Sequence, residues 1–378
     1  MSALFSNEDL EAILGSVQRF CESSVQPACE RPERAMTPAQ LSALRIEAES
    51  IGLLNASPEP AFGLWEHADD SSARLLSVRM LSQIAEVNAG VAFHLHSLAL
   101  ARFVARSLSL HCPPETVISM QGAWGLGRGA LARCLRGATL DADERLLLAD
   151  YFGCDGPRDL LLQAADEWQH VLLPSFDADQ QTLWFGIFSR NSLQHAALVN
   201  SHGLDETSTY ALLRRPHVLP MEGATPEPEQ ARELFAAALC LHALALITIG
   251  TGALAQAYAS ARTYAGMRAQ GGKKIDQHPA VQELLGSAYA ARAAARAMIE
   301  GLAALAPGRA SLLQMFAARA EAHPRLCAGS NDALQVFGGL GYMRDAGLEK
   351  IVRDQNCLRV LFGTPGELRR FIAEWERP

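Results

Sequence analysis

Two stretches decide the reading of this chain: Tyr264-Ala-Gly-Met-Arg268-Ala-Gln270-Gly271-Gly272-Lys273-Lys274-Ile275-Asp276-Gln277-His278-Pro279 and Asp332-Ala-Leu-Gln335-Val-Phe-Gly338-Gly339-Leu-Gly341-Tyr342-Met-Arg344-Asp345. In each, a long Ala-rich helical pattern stops at a glycine turn, and a second helical pattern follows. Outward from them, the chain beyond Glu229 is rich in Ala, Leu, Arg and Gln. It is nearly free of proline over windows of roughly 230–268, 279–305, 308–338 (interrupted by Pro324) and 365–376. Short turns at Gly271-Gly272, Pro307-Gly308 and Gly338 to Gly341 join these windows, which predicts an antiparallel four-helix bundle over residues 229–378.

Upstream the texture changes. Between Cys112 and Pro228 the apolar runs shorten to Leu146-Leu147-Leu148, Val171-Leu172-Leu173 and Leu183-Trp184-Phe185, with turn residues between them. This predicts a middle, mainly antiparallel β-barrel-like domain over 112–228, closed by the linker Pro220 to Pro228. Residues 1–111 read as an N-terminal helical domain. Thr37-Pro38 is a cap followed by proline at a first helical position, a further helix runs from Ala73 to Ala89, and Ala56 to Gly63 is a connecting loop. The predicted class is mainly α with a central β domain.

The whole chain has 378 residues, 49% apolar and 20% charged, with 33 basic against 41 acidic residues. Such a length excludes a small disulfide scaffold. The net charge of -8 removes any bulk attraction to phosphate backbones or anionic lipid, so nucleic acid is excluded as a partner. The start, Met1 to Leu10, carries neither a basic n-region nor an apolar h-region, which predicts a cytoplasmic protein. The most hydrophobic stretch, Phe235 to Ile249, holds His242 near its centre and suits a buried core helix better than a membrane span. Eight scattered cysteines, without CxxC pairs, read as reduced thiols.

Taken together and in this order, the two quoted stretches, with Phe362-Gly363-Thr364 and the weaker Asn88-Ala-Gly90-Val91-Ala92, resemble the acyl-CoA dehydrogenase superfamily. The resemblance is good over about 230–378, faint over 40–110 and poor in the middle. It implies that family's order of N-terminal helices, middle β domain and four-helix bundle, and it implies FAD. In relatives the arginine matching Arg268 meets the FAD pyrophosphate of the neighbouring subunit, where a guanidinium fork suits phosphate oxygens. Gln270 and His278 fall where that turn approaches the same dinucleotide. Gln335 to Gly339 matches the segment at the adenine end, Gly338 and Gly339 letting backbone come close, and Thr364 matches a threonine near FAD. On residues alone, Arg268 could equally cap a helix and the glycines could simply turn the chain.

The sequence departs from the family where the chemistry lies. The usual base, a glutamate immediately before Gly-Thr, is replaced by Phe362, which accepts no proton. Some members carry that glutamate on the first bundle helix, 26 residues before the matching arginine; here that position is His242. His242 is thus the candidate base, although a neutral core histidine satisfies the same sequence. Cys240 and Ala243 stand where relatives carry an acid and an arginine, and Leu368 replaces a glutamine. The stretches that lie against the flavin ring have no counterpart; Leu146 to Asp150 and Ala165-Asp166-Glu167-Trp168 lack their pattern.

Other candidates carry less. His94-Leu95-His96 puts two rings on different faces of a helix and reads as packing or pocket lining. Gly125-Leu-Gly127-Arg-Gly129 is not the dinucleotide fingerprint, and Glu349-Lys350 with Arg353-Asp354 reads as bundle salt bridges. The expectation is a FAD-dependent oxidoreductase acting on an acyl thioester carried by CoA or an acyl-carrier protein, a homodimer or homotetramer served by an electron-transfer flavoprotein or oxygen. A FAD-independent lyase or dehydratase on the same scaffold and a non-catalytic subunit are the alternatives.

Overall fold

The structure is a computed structural model that describes residues 5–31, 33–55, 62–120, 129–152, 160–200, 203–213 and 219–377. The chain opens with helices α1 (Asn7–Phe20), α2 (Gln26–Ala28), α3 (Pro38–Ser50), α4 (Ser71–Ala85) and α5 (Ala89–Ser107), a π-helical turn at Cys21–Val25 joining the first two. Local chemistry sets their starts. Ser6 with Asp9, and Thr37 with Gln40, form capping boxes, and Pro38 occupies the first turn of α3. The single helix expected over Ala73 to Ala89 is two: α4 ends at Ala85, and Asn88, its side chain accepting from Val91 N, starts α5.

The middle of the chain holds β1 (Thr116–Ile118), α6 (Ala130–Arg136), α7 (Ala142–Phe152), β2 (Leu160–Ala164), β3 (His170–Asp177), β4 (Thr182–Ser189), β5 (Gln194–Asn200), β6 (Ser208–Leu213) and β7 (Glu222–Ala224). One sheet runs β1-β3-β4-β7 and the other β2-β6-β5; all neighbours are antiparallel except β1 with β3. Val171 to Leu173 and Leu183 to Phe185 are strand, as expected. Leu146 to Leu148 are not: they belong to α7. The signal was present in Asp141-Ala-Asp-Glu144, where Glu144 N donates to Asp141 Oδ1 at 2.9 Å and Asp141 N donates to Glu144 Oε2 at 3.0 Å, a reciprocal cap that starts a helix. The loop expected over Ala56 to Gly63 and the string Gly125 to Gly129 lie largely outside the described residues.

Beyond residue 227 come α8 (Pro228–Met267), the hairpin β8 (Ala269–Gln270) and β9 (Lys273–Lys274), α9 (Pro279–Ala303), α10 (Arg309–Val336), α11 (Leu348–Val360) and α12 (Pro365–Trp375). Helix α10 packs against α8, α9, α11 and α12. It runs straight through Pro324, whose ring frees the carbonyl four residues back; Arg369 Nη2 of α12 reaches that Ala320 carbonyl at 3.5 Å. Helix α8 is long and apolar enough to cross a membrane, but its most apolar window is entirely buried, so it is the core helix of the fold. Two contacts lock the N-terminal helices to it and to α9. At Gly252 a side chain would stand 2.8 Å from Ser82 O, so α4 crosses α8 at a glycine. Arg74 of α4 donates to Ala303 O at 2.9 Å and Ala304 O at 3.2 Å, satisfying carbonyls at the end of α9.

Candidate functional site

The expected site residues fall into two groups at different places. The first gathers where α8 and α10 end. Arg268 is the C-cap of α8 and is exposed, with no acid partner among the described residues. Gln270 lies in the two-stranded hairpin that follows, turned by Gly271 (φ +64°) and Gly272 (φ +79°), the left-handed pair a tight hairpin of this kind requires. His278 closes it, its Nε2 lying 3.0 Å from Gln270 O. Beside this hairpin, Tyr264 stacks on Phe337 with ring centroids 4.3 Å apart and planes at 11°, which brings the Arg268 turn against the turn after α10. There Gln335 Nε2 donates to the Tyr342 hydroxyl at 2.5 Å. Gly338 (φ +58°) and Gly339 are exposed, and a Cβ on either would meet nothing within 4 Å. The result is an open, basic, backbone-lined surface.

The second group lies deep inside. His242, midway along α8, is 6% exposed. Its Nδ1 is 2.8 Å from His96 Nε2 on α5, the rings stacked at 5.1 Å, and His96 Nδ1 accepts from Trp65 Nε1 at 2.9 Å. Phe362 stands edge-to-face against His242 with centroids 4.6 Å apart, and Phe93 lies at 6.4 Å. Phe362 itself has φ +62°, a left-handed conformation unusual for an aromatic residue, followed by Gly363 at +100°. Arg319 of α10 holds this turn from below. It is fully buried, donates through Nη1 to Phe362 O at 2.9 Å and through Nη2 to Leu358 O at 3.3 Å and to Leu361 O, and lies 5.3 Å from the Phe362 ring centre. Burial pulls its pKa down to about 9, with the Glu367 carboxylate opposing the shift.

Burial also pushes His96 down to about 3 and His242 well below its ordinary value, with the charges of His96 and Arg319 adding to the effect on His242. This works against His242 as a base. An acceptor must take up a positive charge in a dry site, and the Nδ1 lone pair already faces His96. Among the described residues no carboxylate reaches His242: its hydrogen-bonded neighbour is another imidazole. Thr364, the N-cap of α12, spends its hydroxyl in a capping box with Glu367, donating to Oε2 at 2.8 Å and accepting from Glu367 N at 3.3 Å.

Sequence reasoning missed Trp65 and the direct contact of His96 with His242. The two histidines of His94-Leu95-His96 do part company, as their spacing requires. His94 Nε2 meets Glu167 Oε1 at 2.7 Å, and Arg45 Nε approaches the same oxygen at 3.4 Å. Burial opposes charge on Glu167, yet His94 and Arg45 hold its carboxyl below the ordinary range. The advance signal for the pair across α5 and α8 was that both helices carry histidine within an apolar run.

Comparison with known proteins places this geometry. Residues 234–376 match the acyl-CoA dehydrogenase C-terminal domain. A curated relative, 3-sulfinopropanoyl-CoA desulfinase of Paraburkholderia xenovorans, is 32% identical over 126 residues, covering 33% of this chain and 32% of that protein. The match therefore spans about a third of the relative's length. Butyryl-CoA dehydrogenase of Megasphaera elsdenii superposes with a TM-score of 0.71 at 15% identity, covering 100% of both chains. An acyl-CoA dehydrogenase of Bacillus anthracis complexed with FAD gives a TM-score of 0.71 at 18% identity over 97% of this chain and 66% of that one. The last helical region thus matches the acyl-CoA dehydrogenase C-terminal domain over residues 234–376, and the whole chain shares its fold with acyl-CoA dehydrogenases from end to end.

Proposed function

We propose that this protein is an acyl-thioester enzyme built on the acyl-CoA dehydrogenase scaffold, with a FAD site divided between two copies of the chain. The observation that supports this most is the distance between the two residue groups. His242 and Arg268 lie on one continuous helix, 26 residues apart. At 1.5 Å per residue they are separated by about 39 Å, farther than one dinucleotide reaches. A cofactor touching both groups must therefore take Arg268, Gln270, Gln335, Gly338 and Gly339 from one chain and approach Thr364 and His242 of another, with His278 setting the shape of the hairpin.

The residues fit the adenine and pyrophosphate end: an exposed guanidinium without an acid partner and two exposed glycines whose missing side chains leave room for phosphate or ribose. Bound there, FAD would supply a hydride acceptor. The chain's own residues would exclude water around the acyl group through Phe93 and Phe362, and would orient it beside His242. CoA or an acyl-carrier protein would deliver the thioester, and an electron-transfer flavoprotein or oxygen would reoxidise the enzyme.

The test is direct. Purified protein should be yellow or take up added FAD, and Arg268→Ala should weaken uptake at least about tenfold, the loss of one charge-assisted phosphate contact. A colourless protein that binds no FAD would overturn the oxidoreductase reading. One observation favours a second reading in that case. Phe362 fills the usual base position, and a relative of this bundle is named a desulfinase. A colourless protein that expels a β-substituent from an acyl thioester would establish a lyase.

A further inference from the structure

We propose that Trp65, acting through His96, locks His242 into the tautomer that carries its hydrogen on Nε2, making it a hydrogen-bond donor to the carbonyl oxygen of a bound acyl thioester. The argument starts at the indole. Trp Nε1 carries a hydrogen and no lone pair, so it can only donate. His96 Nδ1, 2.9 Å away, must therefore accept. A neutral imidazole has one N–H, and that of His96 is forced onto Nε2, where it donates across 2.8 Å to His242 Nδ1. The single N–H of His242 is then on Nε2.

No other arrangement keeps both bonds. If His242 donated from Nδ1, His96 would have to accept at both nitrogens with no hydrogen of its own, an anionic ring that water near neutral pH does not supply. If either ring were doubly protonated, two N–H groups would face each other at one of the two contacts. Among the described residues the fixed charge acting on His242 is the Arg319 guanidinium beneath Phe362, which opposes a second positive charge. Trp65, 1% exposed, and His96, with no exposure, have no water to substitute for a lost partner.

The chain of bonds ends at His242 Nε2–H, which meets no acceptor among the described residues and faces an apolar surround of Phe93 and Phe362. A donor fixed by two partners behind it and flanked by two aromatic rings can polarise a carbonyl without reorganising. Trp65 and His96 are thus positioning residues, and His242 is the group that touches substrate. The identity of the acceptor rests on the acyl-thioester reading above; the tautomer does not.

Nitrogen-15 histidine labelling with long-range proton–nitrogen NMR at pH 7.5 tests each part. In the wild-type protein, His96 and His242 should both show the neutral Nε2–H form only. Trp65→Phe, which keeps an aromatic filler and removes the donor, should release the constraint and shift the His242 tautomer ratio about tenfold, the worth of one buried hydrogen bond. Adding butyryl-CoA should move the His242 Nε2–H resonance of the wild-type protein. A wild-type His242 bearing hydrogen on Nδ1, or on both nitrogens, would overturn the proposal without any variant. An unchanged ratio in folded Trp65→Phe would remove Trp65 from it. Butyryl-CoA that binds without moving the His242 signal would refute the contact to substrate, and no binding at all would count against the acyl-thioester reading while leaving the measured tautomer in place.

Discussion

His96, His242 and His323 are sealed inside the protein, and burial holds each ring neutral. Both nitrogens of His323 lack a hydrogen-bond partner among the described residues. Their folded-state pKa values are depressed, whereas in the unfolded chain each ring titrates near about 6.5. Above that pH both states are neutral and stability is at its plateau. As pH falls below it, the unfolded chain takes up protons that the folded chain refuses, so stability declines by about 1.4 kcal/mol per pH unit for each ring until its folded pKa is approached. A series of urea midpoints from pH 7.5 to 5 should show this fall, and His323→Leu should flatten it by about one proton's worth. Equal slopes for the variant and the parent would mean that His323 is not neutral in the fold. At the same scale, the sequence revealed that Phe362 could not be the base. That Phe362 would cover His242, and that Arg319 would brace its turn through three backbone carbonyls, depended on residues far apart in the chain.

Among the elements, α11 was the least legible. It is short and charge-rich, so no long apolar periodicity marks it. Its charges were read as bundle salt bridges, and Glu349–Arg353 and Lys350–Asp354 do pair within α11; the same residues also clamp α11 to the loop before β6. Arg353 makes a bidentate pair with Asp205 at 2.6 and 2.9 Å while holding Glu349, and Asp354 Oδ1 accepts from Leu204 N at 2.6 Å. Lys350, its ammonium 11% exposed, sits between Asp354 at 2.8 Å and Glu206 at 3.2 Å. Desolvation works against its charge, but those two carboxylates hold the ammonium firmly protonated, while burial drives the Asp354 carboxyl up. Glu206 reaches further, accepting from Asn88 at 2.7 Å and filling the space that Gly90 leaves open, so the Asn88-Ala-Gly90 stretch packs against the middle region. Lys350→Met would leave two nearly buried carboxylates without their cation and should cost about 3–5 kcal/mol in urea unfolding. Adding Asp354→Asn and Glu206→Gln should recover most of that loss. If Lys350→Met is nearly neutral, the cluster is hydrated and the clamp is weak.

At the scale of the whole molecule, the separation of Arg268 from His242 yields a test that neither residue gives alone. Two chains related by a twofold axis would form two equivalent composite sites. Mixing unfolded Arg268→Ala and His242→Ala chains in equal amounts and refolding them should give heterodimers in which one site is intact and the other doubly defective. At limiting FAD, activity should return to about a quarter of the wild-type level, well above that of either variant alone. No recovery from verified heterodimers would place each site within a single chain.

By itself, the sequence determined the sequential features of this protein. The capping pairs, the proline-free apolar windows and the two glycine turns specify where helices begin and end, because those signals act over three or four residues. The motif order carried the resemblance to acyl-CoA dehydrogenases, and Phe362 stands where that resemblance implies a glutamate. Only the tertiary structure decided the contacts that span the chain. It joined Trp65, His96 and His242 into one row of hydrogen bonds, closed the row with Phe362, and set it apart from the Arg268 surface at the C-terminal end of α8. The reason is physical: a neutral imidazole has one hydrogen, and which nitrogen carries it depends on partners that folding alone brings within 3 Å. Sequence could name His242 as the polar residue of the core, but not whether it gives a hydrogen bond or takes a proton.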